Sequence, residues 1–183
     1  MSKRLIGAAC ALALGLASLT VSADVIVGGS AMYAEKNIVE NAVNSKDHTT
    51  LVAAVKAAGL VDTLESKGPF TVFAPVNAAF SALPAGTVDT LLKPENKDAL
   101  TKVLTYHVVP GYYTAADLDK LIRKGNGTAT LKSVSGGTLS FQKNGGHNIT
   151  VTDESGNVAD ITIYDVLQSN GVIFSIDRVL LPK

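Results

Sequence analysis

TVFAPVNAAF, residues Thr71 to Phe80, opens in strand character, halts at a proline and restarts on an asparagine ahead of a second aromatic. Phe70-Thr71-Val72-Phe73-Ala74 is rich in aromatic and β-branched residues, follows the Gly68-Pro69 turn signal and stops at Pro75, which predicts a short buried strand. Asn77 stands where its side chain can accept from the N–H of Ala79 or Phe80 and cap a new helical turn, with the Phe80 ring folded over the junction. The stretch reads as a joint between strand and helix rather than a catalytic turn.

Upstream of this joint the periodicity is helical. Ile38, Val39, Ala42 and Val43 share one helical face. A second helix starts after Thr49 or Thr50 as N-cap, presents Leu51, Val52, Val55 and Ala58, and ends at Gly59; Leu60, Val61 and Leu64 make a short third turn. Downstream, Val88, Leu91 and Leu92 precede Pro94, and Asn96 is placed to cap a helix carrying Ala99, Leu100, Val103 and Leu104. Tyr106-His107-Val108-Val109 reverts to strand character before Pro110-Gly111, with Tyr106 and Val108 facing one way and His107 and Val109 the other. Thr114 and Asp117 form a capping-box pattern for a helix with Leu118, Leu121 and Ile122 that stops near Gly125.

After Gly127 the character changes to short alternating or β-branched segments, 128–131, 138–142, 149–152, 158–163 and 172–180. Gly136-Gly137, Asn144-Gly145-Gly146, Ser155-Gly156-Asn157 and Asn170-Gly171 separate them as tight turns. Helices first and hairpins later, with no regular βαβ alternation, predict an α+β fold.

Residues 1–23 are read apart from the domain. Lys3 and Arg4 precede an apolar run to about Leu19, and Val21-Ser22-Ala23 closes it with small residues, the pattern of a cleaved secretory signal peptide. Residues 24–36, with Gly28-Gly29-Ser30, read as a flexible lead-in, and 37–183 as one domain. The only cysteine, Cys10, falls in the leader, so the mature chain holds no disulfide, thiolate metal site or cysteine nucleophile. Without residues 1–23 the chain carries 14 Lys+Arg against 16 Asp+Glu, which gives no broad basic face for nucleic acid or anionic lipid.

Catalytic patterns are absent. There is no G-x-S-x-G elbow; His48, His107 and His147 lack zinc-site spacing, and neither a phosphate-binding loop nor a dinucleotide fingerprint occurs. Asp153-Glu154-Ser155-Gly156-Asn157 collects oxygen atoms without the order of a calcium loop, so it reads as a solvated hairpin turn. No cofactor is expected. His107 admits two roles: part of a partner-binding or proton-sensitive site, or a buried imidazole bonded to a backbone carbonyl or carboxylate. Phe73 and Phe80 are read as core, while Tyr112 and Tyr113, beside a turn, are contact candidates.

Three segments together resemble the fasciclin domain family: TVFAPVNAAF with its preceding helix, then TYHVVPG, and SNGVIFSIDRVLLP near the end of the chain. Thr71, Phe73, Ala74, Pro75, Asn77 and Phe80 match the first motif, and Tyr106 and His107 the tyrosine–histidine motif. Asn170, Gly171, Ile173, Ile176, Asp177, Val179, Leu180 and Pro182 match the last. The resemblance implies two short sheets forming a wedge, with helices packed on one side. It also implies a secreted, periplasmic or surface protein, non-enzymatic, that mediates adhesion by binding a cell-surface or matrix protein or a polysaccharide. The tentative partner-binding residues are then Tyr106, His107, Tyr112 and Tyr113. The position after Ile173, often histidine in the family, is Phe174 here, and no Arg-Gly-Asp tripeptide occurs. The alternative reading is a periplasmic carrier or hydrolase for a small or glycan ligand, using a pocket near His107 and a carboxylate such as Asp160, Asp165 or Asp177.

Overall fold

A computed structural model describes residues 24–183; the leader read in residues 1–23 lies outside the described residues. Among the described residues seven α-helices, α1 (Ile38–Ala42), α2 (Thr49–Ala58), α3 (Val61–Glu65), α4 (Asn77–Ser81), α5 (Thr87–Leu91), α6 (Lys97–Tyr106) and α7 (Ala115–Lys124), accompany nine strands. Strands β1 (Val25–Val27) and β2 (Ser30–Met32) form a separate hairpin. The others, β3 (Phe70–Pro75), β4 (Val108–Pro110), β5 (Thr128–Lys132), β6 (Thr138–Asn144), β7 (Asn148–Thr152), β8 (Val158–Gln168) and β9 (Gly171–Ile176), make one sheet in the order β4-β3-β9-β8-β7-β6-β5. Only β3 and β9 run parallel. The class is α+β, as the order of helical and strand signals predicts.

Strand β8 joins two half-sheets. Residues 158–160 pair with β7, and residues from Ile161 to Gln168 pair with β9 through two register shifts. In the second irregularity Asp165 takes a left-handed φ of 51°, and its Oδ1 accepts from the Ala115 N–H that opens α7. The bend therefore also aims a helix.

The alternation of β3 divides the interior in two. Val72 and Ala74 face the first core with Ile38, Leu51, Val55, Leu64, Leu104 and Ile173. Phe73 faces the second, with Leu118 and Ile122 of α7, Phe141, Val151 and Phe174. In the second core Phe73 and Phe174 stack at 5.5 Å and 16°. Phe174 thus fills with an aromatic ring the position where the family often carries a histidine.

Three sequence expectations are corrected here. Residues 24–36, read as a flexible lead-in ahead of the domain, carry regular structure packed onto it: Gly28 and Gly29, both at positive φ, turn a hairpin whose Val27 and Met32 are buried in the first core. Tyr106 closes α6 and His107 is its C-cap, donating its N–H to Leu104, so the strand begins only at Val108. Asn77 does not cap its own turn, since α4 has Val76 at its N-cap with no side-chain bond. Its Oδ1 instead accepts from the Thr50 N–H at 3.0 Å, and its Nδ2 donates to Lys46 O at 2.8 Å.

Helix α2 has His48 at its N-cap with no side-chain bond, so Asn77 supplies across the fold the acceptor that α2 lacks. The stretch TVFAPVNAAF is a joint, but between helices and strand at once. Asn77→Ala is expected to cost about 1.5 kcal/mol, the scale of a lost cap plus an orphaned carbonyl. Urea unfolding checks it, and an unchanged midpoint would remove Asn77 from the joint.

Candidate functional site

The tyrosine–histidine motif lies under the C-terminal segment. Tyr106 is 0% exposed and His107 2%, because the last turn of α6 packs into the seam between the two cores. His107 Nδ1 sits 2.8 Å from Val103 O, and the Leu180 N–H donates to Nε2 at 2.9 Å. One nitrogen must donate and the other accept, which defines a neutral ring with its proton on Nδ1. Burial pushes its pKa down to about 4, against smaller opposing effects of the Val103 carbonyl and Asp153.

Tyr106 closes the neighbouring part of this latch. Its hydroxyl donates to Thr138 O at 2.9 Å and accepts from the Glu154 N–H at 3.0 Å. Glu154 Oε1 accepts in turn from Thr138 N–H. Asp153, read from sequence as part of a solvated turn, is buried: it accepts from the N–H groups of Ser155 and Asn157 and, at 3.0 Å, from Leu181. The local part of that pattern was visible in the sequence; the bond to Leu181 had no sequence signal.

The tyrosines after the turn are placed differently. Tyr112 is 45% exposed and Tyr113 half-buried. Thr71, fully buried, fixes their loop: its Oγ1 donates to Gly111 O at 2.9 Å and accepts from Tyr113 N–H at 3.0 Å. The structure therefore separates the four contact candidates into two buried latch residues and a tethered loop with one prominent aromatic.

The last motif acts as a second tie. Asn170 Oδ1 accepts from Ile38 N–H, and its Nδ2 donates to Leu64 O and Ser66 O. At Gly171 a β-carbon would lie 2.0 Å from Phe70 O, so the side chain must be absent where β3 and β9 start together. Asp177 Oδ1 accepts from the Asp160 N–H at 2.7 Å and holds the start of β8.

Between the sheet face bearing Val72, Val166 and Ile173 and helices α1–α3 and α6 lies an apolar cavity of about 80 Å³. His107 and His48 reach its wall, but Asp160, Asp165 and Asp177 do not, and no other carboxylate lines it among the described residues. The arrangement can enclose an apolar group; it does not pair His107 with the carboxylate that acid–base hydrolysis would use. Empty apolar space of this size costs about 2 kcal/mol at ~24 cal/mol per Å³. Among the described residues no group of three or more metal-ligating side chains converges, and no helix is long and apolar enough to cross a membrane.

Fold and latch together define a single α+β unit whose motif side chains tie its ends to its centre. The chain belongs to the fasciclin domain family: the description "Fasciclin domain" matches residues 46–182. It is 47% identical over 163 residues to protein sll1483 of Synechocystis sp., covering 89% of this chain and 83% of that protein. It is 35% identical over an alignment of 210 positions to the immunogenic protein MPB70 of Mycobacterium bovis, covering 98% and 97%. The fold is similar to a FAS1 domain pair of the insect cell adhesion molecule Fasciclin I, with a TM-score of 0.70 and 18% identity over 80% of this chain and 51% of that one.

Proposed function

We propose that this chain is an exported, non-enzymatic binding module that mediates adhesion through contacts to a cell-surface or matrix protein or a polysaccharide. The observation that carries this reading is the loop of Tyr112: a half-exposed aromatic on a segment pinned from below by the buried Thr71. Such a side chain offers contact area with little conformational entropy left to lose, the property of interface anchors. The solved relative described as a cell adhesion molecule and the leader pattern of residues 1–23 support the same reading. Tyr106 and His107 serve it indirectly, by holding the framework under the loop.

Tyr112→Ser is expected to weaken adhesion of protein-coated beads to cells or to a glycan panel about tenfold, the loss of one anchor, while leaving the melting temperature within a degree or so. Adhesion unaffected by this change, or falling only in step with stability across a tyrosine series, would defeat the reading.

A further inference from the structure

The cavity beneath the helices has a wall that gives water no foothold. Each of its buried polar side chains has a hydrogen-bond partner within the protein. Ser45 Oγ and His48 Nδ1 are 2.9 Å apart, His48 Nε2 and Ser175 Oγ 3.3 Å, and both nitrogens of His107 are bonded to backbone. The nitrogens of both rings therefore have partners within the protein. A buried water needs about two to four polar partners, and an apolar cavity without them stays dry and takes apolar guests. With about 10–15 Å³ for each water-sized sphere, 80 Å³ has room for a short run of methylenes.

The rim is charged. Lys56, in the last turn of α2, is exposed and reaches the cavity wall. Lys97 Nζ comes within 3.4 Å of where a β-carbon on Gly59, the C-cap of that helix, would stand, but neither residue lines the cavity. Neither lysine is in an ion pair among the described residues. Asp62 and Glu65 on α3 are exposed nearby in sequence, but they do not line the space.

We propose that this cavity is a binding site for a fatty acid, with the terminal part of the alkyl chain between helices and sheet and the carboxylate at the rim beside Lys56. The site is independent of the adhesion surface at Tyr112. The aliphatic wall selects the chain, and the unpaired ammonium favours an anionic head over a neutral one.

The test is titration of the purified protein with dodecanoate by calorimetry, with methyl NMR to locate the chain. Nuclear Overhauser contacts from dodecanoate to Val72 and Ile173 methyls are expected; contacts confined to surface residues would overturn the site. The double variant Val55→Ile/Val72→Ile adds two methyl groups to the wall and should weaken dodecanoate at least about tenfold while melting no lower than the parent. Undiminished binding by such a folded variant would also overturn it. If that variant melts lower, the NMR contacts in the unaltered protein decide. Lys56→Glu should weaken dodecanoate about fivefold at low salt and leave dodecanol unchanged; equal effects on both would remove the carboxylate from the rim.

Discussion

Lowering the pH from 7 to 4 is expected to destabilise the domain by about 3 kcal/mol through His107 alone. The folded protein holds this ring neutral, with a pKa of about 4, while the unfolded chain titrates near the ordinary 6.5. Above 6.5 neither state binds the proton and the full stability is present. Between 6.5 and 4 the unfolded chain takes up a proton that the folded one refuses, so stability falls as the pH falls; below 4 both states are protonated and the loss stops. His48, whose pKa burial also lowers, adds in the same direction. Asp117 and Asp119 are held below the usual carboxylate range, by Thr114 and by Lys143 first, and act at still lower pH. Urea unfolding midpoints at a series of pH values measure the window. A flat profile from 6.5 to 4 would mean that His107 is not buried as a neutral acceptor of the Leu180 N–H.

The second large effect is expected at Asn170. Alanine there leaves the Ile38 N–H without its acceptor and the carbonyls of Leu64 and Ser66 without their donor, in a region 7% exposed at Asn170 itself. Each orphaned group costs about 1–3 kcal/mol when water cannot replace the partner, and a loss of about 4 kcal/mol follows. Asn170→Asp keeps the acceptor for Ile38 but sets a buried carboxylate oxygen against the Leu64 and Ser66 carbonyls, and should cost at least as much as alanine. Denaturant unfolding separates the three proteins. A loss under about 1 kcal/mol for alanine would show that α1 and α3 hold to the β8–β9 turn by apolar packing instead.

Local signals in the chain carried the local elements. The Thr114–Asp117 capping box forms as the spacing predicts, and Gly59 ends α2 in the left-handed conformation that favours glycine. The hairpins between β5 and β8 follow their glycine and asparagine turns for the same reason. Tyr106 and His107 were misplaced because aromatic and β-branched neighbours mimic a strand, while the Leu100–Leu104 stripe of α6 carries the helix to its end at Tyr106. The β1–β2 hairpin had a signal, Val-Ile-Val before Gly28-Gly29, but three-residue strands are too short to show alternation.

The candidate site was less legible. Tyr106, His107 and Asn77 could be singled out as residue types in motifs, yet what each touches lies far away in sequence. Leu180 meets His107 across 73 positions, and Asn170 meets Ile38 across 132. No local pattern encodes such partners. The cavity is further from reach, since empty space arises only from how several helices and a sheet face fail to fill one another.

Parallel pairing of β3 with β9 sets a constraint on truncation. Phe70 lies against Gly171 and Pro75 against Ile176, so two neighbouring strands of the sheet are separated by roughly a hundred residues of intervening chain. A polypeptide cut short before Gly171 cannot close that pair, and every such fragment lacks a strand that contributes side chains to both cores, Ile173 to the first and Val172 and Phe174 to the second.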